Sequence, residues 1–253
     1  MKYRQIHHKK TINLLMLKSH HLVALSIMKI ISLIIISIAF ILSVFLVELF
    51  WQVCPLSLHN ICHQNGDFDI FLDSLNGQSI FYITAAFSTT IAIVLCAFIQ
   101  KVSITSIFGL HRFNLNSLKI PLVFYFIYLL SLIILMFFNY YPKPSNFEQI
   151  SGSNNILYFF TIAFIGPVFE ELFFRGYIYH QLTKATIKIR VLVISLLFSV
   201  IHIPESTIMF ILLFFLGIIL GGARAASGST FVPILIHMIN NIIFGIWLIF
   251  IGM

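Results

Sequence analysis

The chain has 253 residues, 60% of them hydrophobic and only 9% charged, with a mean hydropathy of +1.03 and a formal net charge of +7. A soluble domain carries about 25% charged residues, so the composition excludes an ordinary soluble protein and predicts an all-α polytopic membrane bundle of about six to eight helices. The basic residues are spread over loops and termini, which fits membrane orientation rather than nucleic-acid binding.

Residues 1–29 form a basic N-terminal segment, with Lys2, Arg4, Lys9, Lys10, Lys18 and Lys29. The apolar run that follows is too long for a cleaved signal, no small-residue cleavage site closes it, and Met28 offers an alternative start. Read against the ~20 residues needed to cross a bilayer, about seven spans emerge. They are Ile30–Phe50, Ile80–Ile99, Pro121–Tyr140, Ile156–Tyr179, Val191–Ile203, Ile208–Gly221 and Phe231–Ile251. Residues 30–150 are expected to hold the N-terminal helices and loops, and 151–253 a C-terminal core. The fifth and sixth spans are short, and Pro204-Glu205-Ser206 between them is a loop or a re-entrant kink. The amphipathic Lys101–Lys119 is expected as an interfacial loop rather than an eighth helix. Cys54, Cys62, His59 and His63 share one loop, but their spacing matches no common zinc pattern and reads as a polar loop or a disulfide. Cys96 is expected to be inert packing.

If seven spans alternate, Lys101, Arg112, Lys119, Lys184, Lys188, Arg190 and Arg224 fall on the side of the basic N-terminus. Lys143 falls opposite, with Glu48, Asp67, Asp69, Asp73, Glu148 and Glu205. Excess Lys and Arg mark the cytoplasmic face, so the N-terminus is expected inside and the C-terminus outside.

Within the fourth span stand Glu170, Glu171 and Arg175. An ionised group at mid-bilayer costs about 2.5–3.5 kcal/mol on insertion scales, and such residues by default mark a functional site. The fifth span carries His202 and the last carries His237 and Asn241. At 1.5 Å per residue, Glu170, His202 and Asn241 all lie ~16 Å from the inner ends of their spans, and His237 ~10 Å. Three helices thus bring polar groups to one layer. Glu171 and Arg175 are four apart and share a face, whereas Glu170 is rotated about 100° away. His237 and Asn241 also share a face.

A desolvated Glu beside His suits general-base activation of water, and a His/Asn pair supplies donors to an oxyanion. Glu170, His202 and His237 are equally a ligand set for a divalent metal such as zinc, although no His-Glu-x-x-His signature is present. Two other readings stay open at this point. One is a non-catalytic scaffold or immunity protein whose buried polar groups hold helices together; the other is a proton-coupled transporter.

The three segments Glu170-Glu171-Leu-Phe-Phe-Arg175, Phe198-Ser-Val-Ile-His202 and His237-Met-Ile-Asn-Asn241 resemble the motifs of the CPBP (CAAX protease and bacteriocin-processing, or Abi) intramembrane protease family. The resemblance runs from about Asn155 to the C-terminus. It implies a helical bundle with a cavity open to the cytoplasm and hydrolysis of a peptide bond in a peptide or membrane-protein substrate. By the same resemblance Glu170 activates water with help from His202, His237 and Asn241 form the oxyanion site, and Glu171 and Arg175 hold the geometry. Those roles work without a cofactor, although the family is often called a metalloprotease. The cationic N-terminus, short length and compact loops suggest a bacterial cell-membrane protein, a setting in which the resemblance implies peptide processing or bacteriocin self-immunity.

Overall fold

A computed structural model describes residues 27–43, 45–47, 49, 74–138, 140, 141 and 156–250. The expectations for most of the basic N-terminal segment, for Cys54, Cys62, His59 and His63, and for Lys143 and the acids Glu48, Asp67, Asp69, Asp73 and Glu148 fall outside the described residues. Among the described residues there are helices and no strands. They are α1 (Ile27–Val47), α2 (Leu75–Gln100), α3 (Ile104–Ile107), α4 (Lys119–Phe137), α5 (Ile156–Gln181), α6 (Ile187–Ile201), α7 (Thr207–Ser227) and α8 (Phe231–Phe250). Each of the seven apolar runs contains one of these helices. Five stretches are long and apolar enough to cross a membrane: α1, α2, α4 with the 3₁₀ turn before it, α5 and α7. The chain is a multi-pass helical membrane bundle.

Local chemistry sets the helix ends. Ser74, Thr186 and Ser206 each accept a hydrogen bond from the backbone N–H three residues on, capping α2, α6 and α7. Gly228 closes α7 at φ 69, a left-handed conformation glycine adopts without steric cost. Large apolar side chains on α1, α2, α4 and α6 stay exposed, among them Phe45, Phe98, Phe126 and Val200. In water they would be an aggregation hazard, but in a bilayer they face lipid.

α5 lies between two cores. On one side Tyr177 packs with Ile36, Ala92, Ile93, Cys96, Ile107 and Phe108; on the other Phe174 and Tyr179 pack with Ile194 and Phe198. A third cluster joins α4, α7 and α8 through Tyr128, Leu216, Leu220 and Ile236. Buried Cys96 belongs to the first core.

α6 and α7 form an antiparallel hairpin. A Cβ on Gly217 would lie 2.9 Å from the Ser195 Cβ, and one on Gly221 3.0 Å from a Val191 methyl. Four residues forward on α7 thus match four residues back on α6. The small residues let the two backbones approach, so their packing role lies inside this bundle. Pro204 and Ser206 separate two distinct helices. At 15 residues α6 is ~22 Å long, short of the ~30 Å hydrocarbon core.

The Lys101–Lys119 segment contains no long helix, as expected, and part of it packs into the bundle. Ile107 and Phe108 are buried. Thr230 at the start of α8 donates from its hydroxyl to Phe108 O at 2.7 Å and from its backbone to Gly109 O at 2.9 Å. Gly176 of α5 passes so close that a Cβ there would sit 2.8 Å from Phe108 O. Amphipathicity showed a mixed segment but not that its apolar residues plug the joint between α5 and α8.

Candidate active site

The acidic motif sits on a helix with two irregularities. The α-helical stretch Gly166–Glu171 is flanked by π-helical turns at Thr161–Ile165 and Leu172–Ile178. A π-turn widens the helix, disturbs the usual carbonyl pairing and recurs at functional sites. Here side chains from distant helices fill in. Asn241 Nδ2 donates to Ile162 O at 2.8 Å, while Arg224 Nε and Thr230 Oγ1 donate to Arg175 O at 3.0 and 3.4 Å.

Glu171 and Arg175 are sealed, with side chains 0% exposed. Arg175 Nη1 donates to Glu171 Oε1 at 2.9 Å, the pairing that the four-residue spacing predicted. Arg175 Nη2 donates to Gly217 O at 3.0 Å, and its guanidinium carbon stands 4.7 Å from the Phe198 ring centroid. Glu171 has a second partner that spacing did not show, His237 Nδ1 at 2.9 Å from the same Oε1.

Glu170 points elsewhere. Its Oε1 accepts from the Tyr82 hydroxyl of α2 at 3.2 Å. Its Oε2 makes no hydrogen bond and lies 3.6 Å from His202 Nε2 and 3.9 Å from His237 Nε2. His202 caps α6, and its Nδ1 faces Phe198 O at 2.7 Å. A carbonyl only accepts, so Nδ1 carries the proton and neutral His202 presents an Nε2 lone pair to Glu170. The next residue, β-branched Ile203, is held at φ 44, where such side chains are strained.

Phe198, fully buried, is the common floor. Its ring lies 4.4 Å from that of His202 and 5.7 Å from that of His237, and it also packs against Phe174. This accounts for an aromatic residue four before His202, a position given no role from sequence.

Glu170, His202 and His237 therefore converge, while Asn241 lies one turn further along α8 with one amide hydrogen committed to Ile162 O. In this arrangement Asn241 is first a brace for the π-turn ahead of Glu170. Tyr82 was missed, because an aromatic residue in an apolar span carries no sequence signal of its own. Among the described residues no group of three His, Cys, Asp or Glu side chains is arranged to hold a metal ion.

Acceptors on Glu170 Oε2 and His202 Nε2 facing each other at 3.6 Å suit a shared proton donor such as water. Glu170 is 17% exposed and His202 26%, against 3% for His237. The Glu170 and His202 side chains are thus partly open although Oε2 itself is shielded, and the Glu171–Arg175 pair is closed.

Residues 152–243 match the family described as type II CAAX prenyl endopeptidase Rce1-like, a little over a third of the chain. The matched stretch contains all three motifs, and it supports an intramembrane endopeptidase as the general class of activity. No curated protein and no solved structure matches the chain.

Proposed function

We propose that the chain is an intramembrane endopeptidase in which Glu170 activates water for attack on a peptide bond. The observation that carries the reading is the convergence of Glu170, His202 and His237 beneath a partly open face, with Glu171 and Arg175 buried behind them. Water held between Glu170 Oε2 and His202 Nε2 gives its proton to the carboxylate as its oxygen adds to the scissile carbonyl. The C–N bond then breaks and the proton passes, directly or through His202, to the leaving amine. Glu171, itself neutralised by Arg175, accepts from His237 Nδ1–H and so favours the imidazolium, whose second N–H, at Nε2, donates to the oxyanion. The second amide hydrogen of Asn241 remains for the same task. No step requires a metal.

The excess of basic residues favours a cytoplasmic N-terminus and a cleaved bond in the cytoplasmic half of the membrane. The substrate is a peptide or membrane protein, and peptide processing or bacteriocin self-immunity in a bacterial cell is the setting the motifs favour. The test compares membrane peptides in cells carrying the wild type or Glu170→Ala at equal abundance. Shortened peptides are expected only with the wild type. If they persist unchanged, the peptidase reading fails and a non-catalytic immunity or scaffold role takes its place.

A further inference from the structure

At the C-terminal end of α5 basic side chains meet, with no acid among the described residues beside them. The guanidinium carbons of Arg190 (α6) and Arg224 (α7) lie 4.6 and 4.9 Å from the centroid of the Tyr179 ring. Lys29 of α1 donates from Nζ to Gln181 O at 2.6 Å, and His180 and Lys184 stand within electrostatic range of these groups. The described residues hold three acidic side chains, Glu170, Glu171 and Glu205. The first two lie about nine residues, or ~13 Å, back along α5, and Glu205 lies beyond the far end of α6, ~22 Å away along the axis. Glu170 and Glu171 are engaged with Arg175, His202 and His237 instead. Arg190 Nε is shielded from solvent and has no hydrogen-bond partner.

Gathered cations with an unmatched donor need an anion, since each unpaired buried charge or N–H carries a desolvation cost. The surroundings identify its carrier. Ile187, Ile189, Leu192 and Val193 leave an exposed apolar wall on α6 beside Arg190, and Ile30 and Ile31 do the same on α1 beside Lys29. A cationic floor with apolar flanks at the end of a membrane bundle matches a molecule with an anionic head and hydrocarbon tails. We propose that Arg190 and Arg224, with Lys29 and Lys184, bind the phosphate of an anionic phospholipid whose acyl chains run along α6. A guanidinium fork suits phosphate oxygens; Arg190, with its unpaired Nε, supplies it, and Arg224, whose Nε already holds Arg175 O, adds its charge from the neighbouring helix.

The test uses the purified full-length chain, with phosphatidylglycerol or phosphatidylcholine added and bound lipid counted by native mass spectrometry. Phosphatidylglycerol is expected to bind selectively, and Arg190→Gln to weaken it about tenfold or more, the value of a charge-assisted hydrogen bond. Arg190→Lys keeps the charge without the fork. It is expected to lose affinity severalfold, and it decides the question should Arg190→Gln fail to accumulate. Equal retention of the two lipids, or of phosphatidylglycerol by wild type and variants, overturns the proposal. So does full displacement by inorganic phosphate, which would make the site one for a free oxyanion. Displacement by a peptide with a free C-terminal carboxylate, but not by its amide, would assign the cluster to peptide instead.

Discussion

Glu171 is sealed, with Arg175 of its own helix and His237 of α8 both donating to its Oε1 at 2.9 Å. Glu170, one residue earlier and about 100° around the helix, faces α2 and α6. There it holds a single hydrogen bond from Tyr82 and leaves Oε2 beside two imidazoles. The difference teaches how a bilayer protein hosts two carboxylates in sequence. One is ion-paired with Arg175 and 0% exposed, so it serves as structure although its Oε2 has no hydrogen bond. The other has no arginine partner and is 17% exposed, and that carboxylate is where chemistry can happen.

Five outcomes would break or sharpen that contrast. Glu170→Gln should lower peptide cleavage by ~10²–10⁴-fold, the usual worth of a general base, with membrane abundance unchanged. Arg175→Ala should act on the fold instead, because removing one partner of a buried pair costs about 3–5 kcal/mol; thermal unfolding in detergent checks it. If the two variants behaved alike in both assays, the division of labour would be wrong. Gly176→Ala drives a Cβ toward Phe108 O at 2.8 Å and should cost about 1–3 kcal/mol by the same unfolding measurement. Tyr82→Phe removes one half-exposed hydrogen bond to Glu170, worth about 1 kcal/mol, so cleavage should fall roughly fivefold with stability intact. Chelation with EDTA should have the smallest effect, none on turnover. Loss of activity restored by zinc would place a metal among Glu170, His202 and His237.

Much of this was legible from residue order. Apolar runs gave the helices because bilayer thickness imposes a length and backbone hydrogen bonding imposes the helix. The four-residue spacing of Glu171 and Arg175 gave their pairing, since the helical period decides neighbours along one element. Counting depth from helix ends brought His202 to the level of Glu170, but it put Asn241 there rather than His237.

Contacts between elements followed no such period. The Tyr82 hydroxyl, the bond from His237 to Glu171 and the brace from Asn241 to Ile162 O depend on how α2, α5 and α8 are rotated against one another. Arg224 was read as a loop cation, yet it lies inside α7 and supports the π-turn at Arg175. Phe108 and Gly109 lie in a segment expected at the membrane surface, and they instead wedge α5 against α8. Sequence by itself determined a helical membrane bundle and the residues bearing its charge, because period, length and the cost of burying charge are local quantities. Only the tertiary structure decided which glutamate is neutralised and which is left available, because that depends on side chains that approach from other helices.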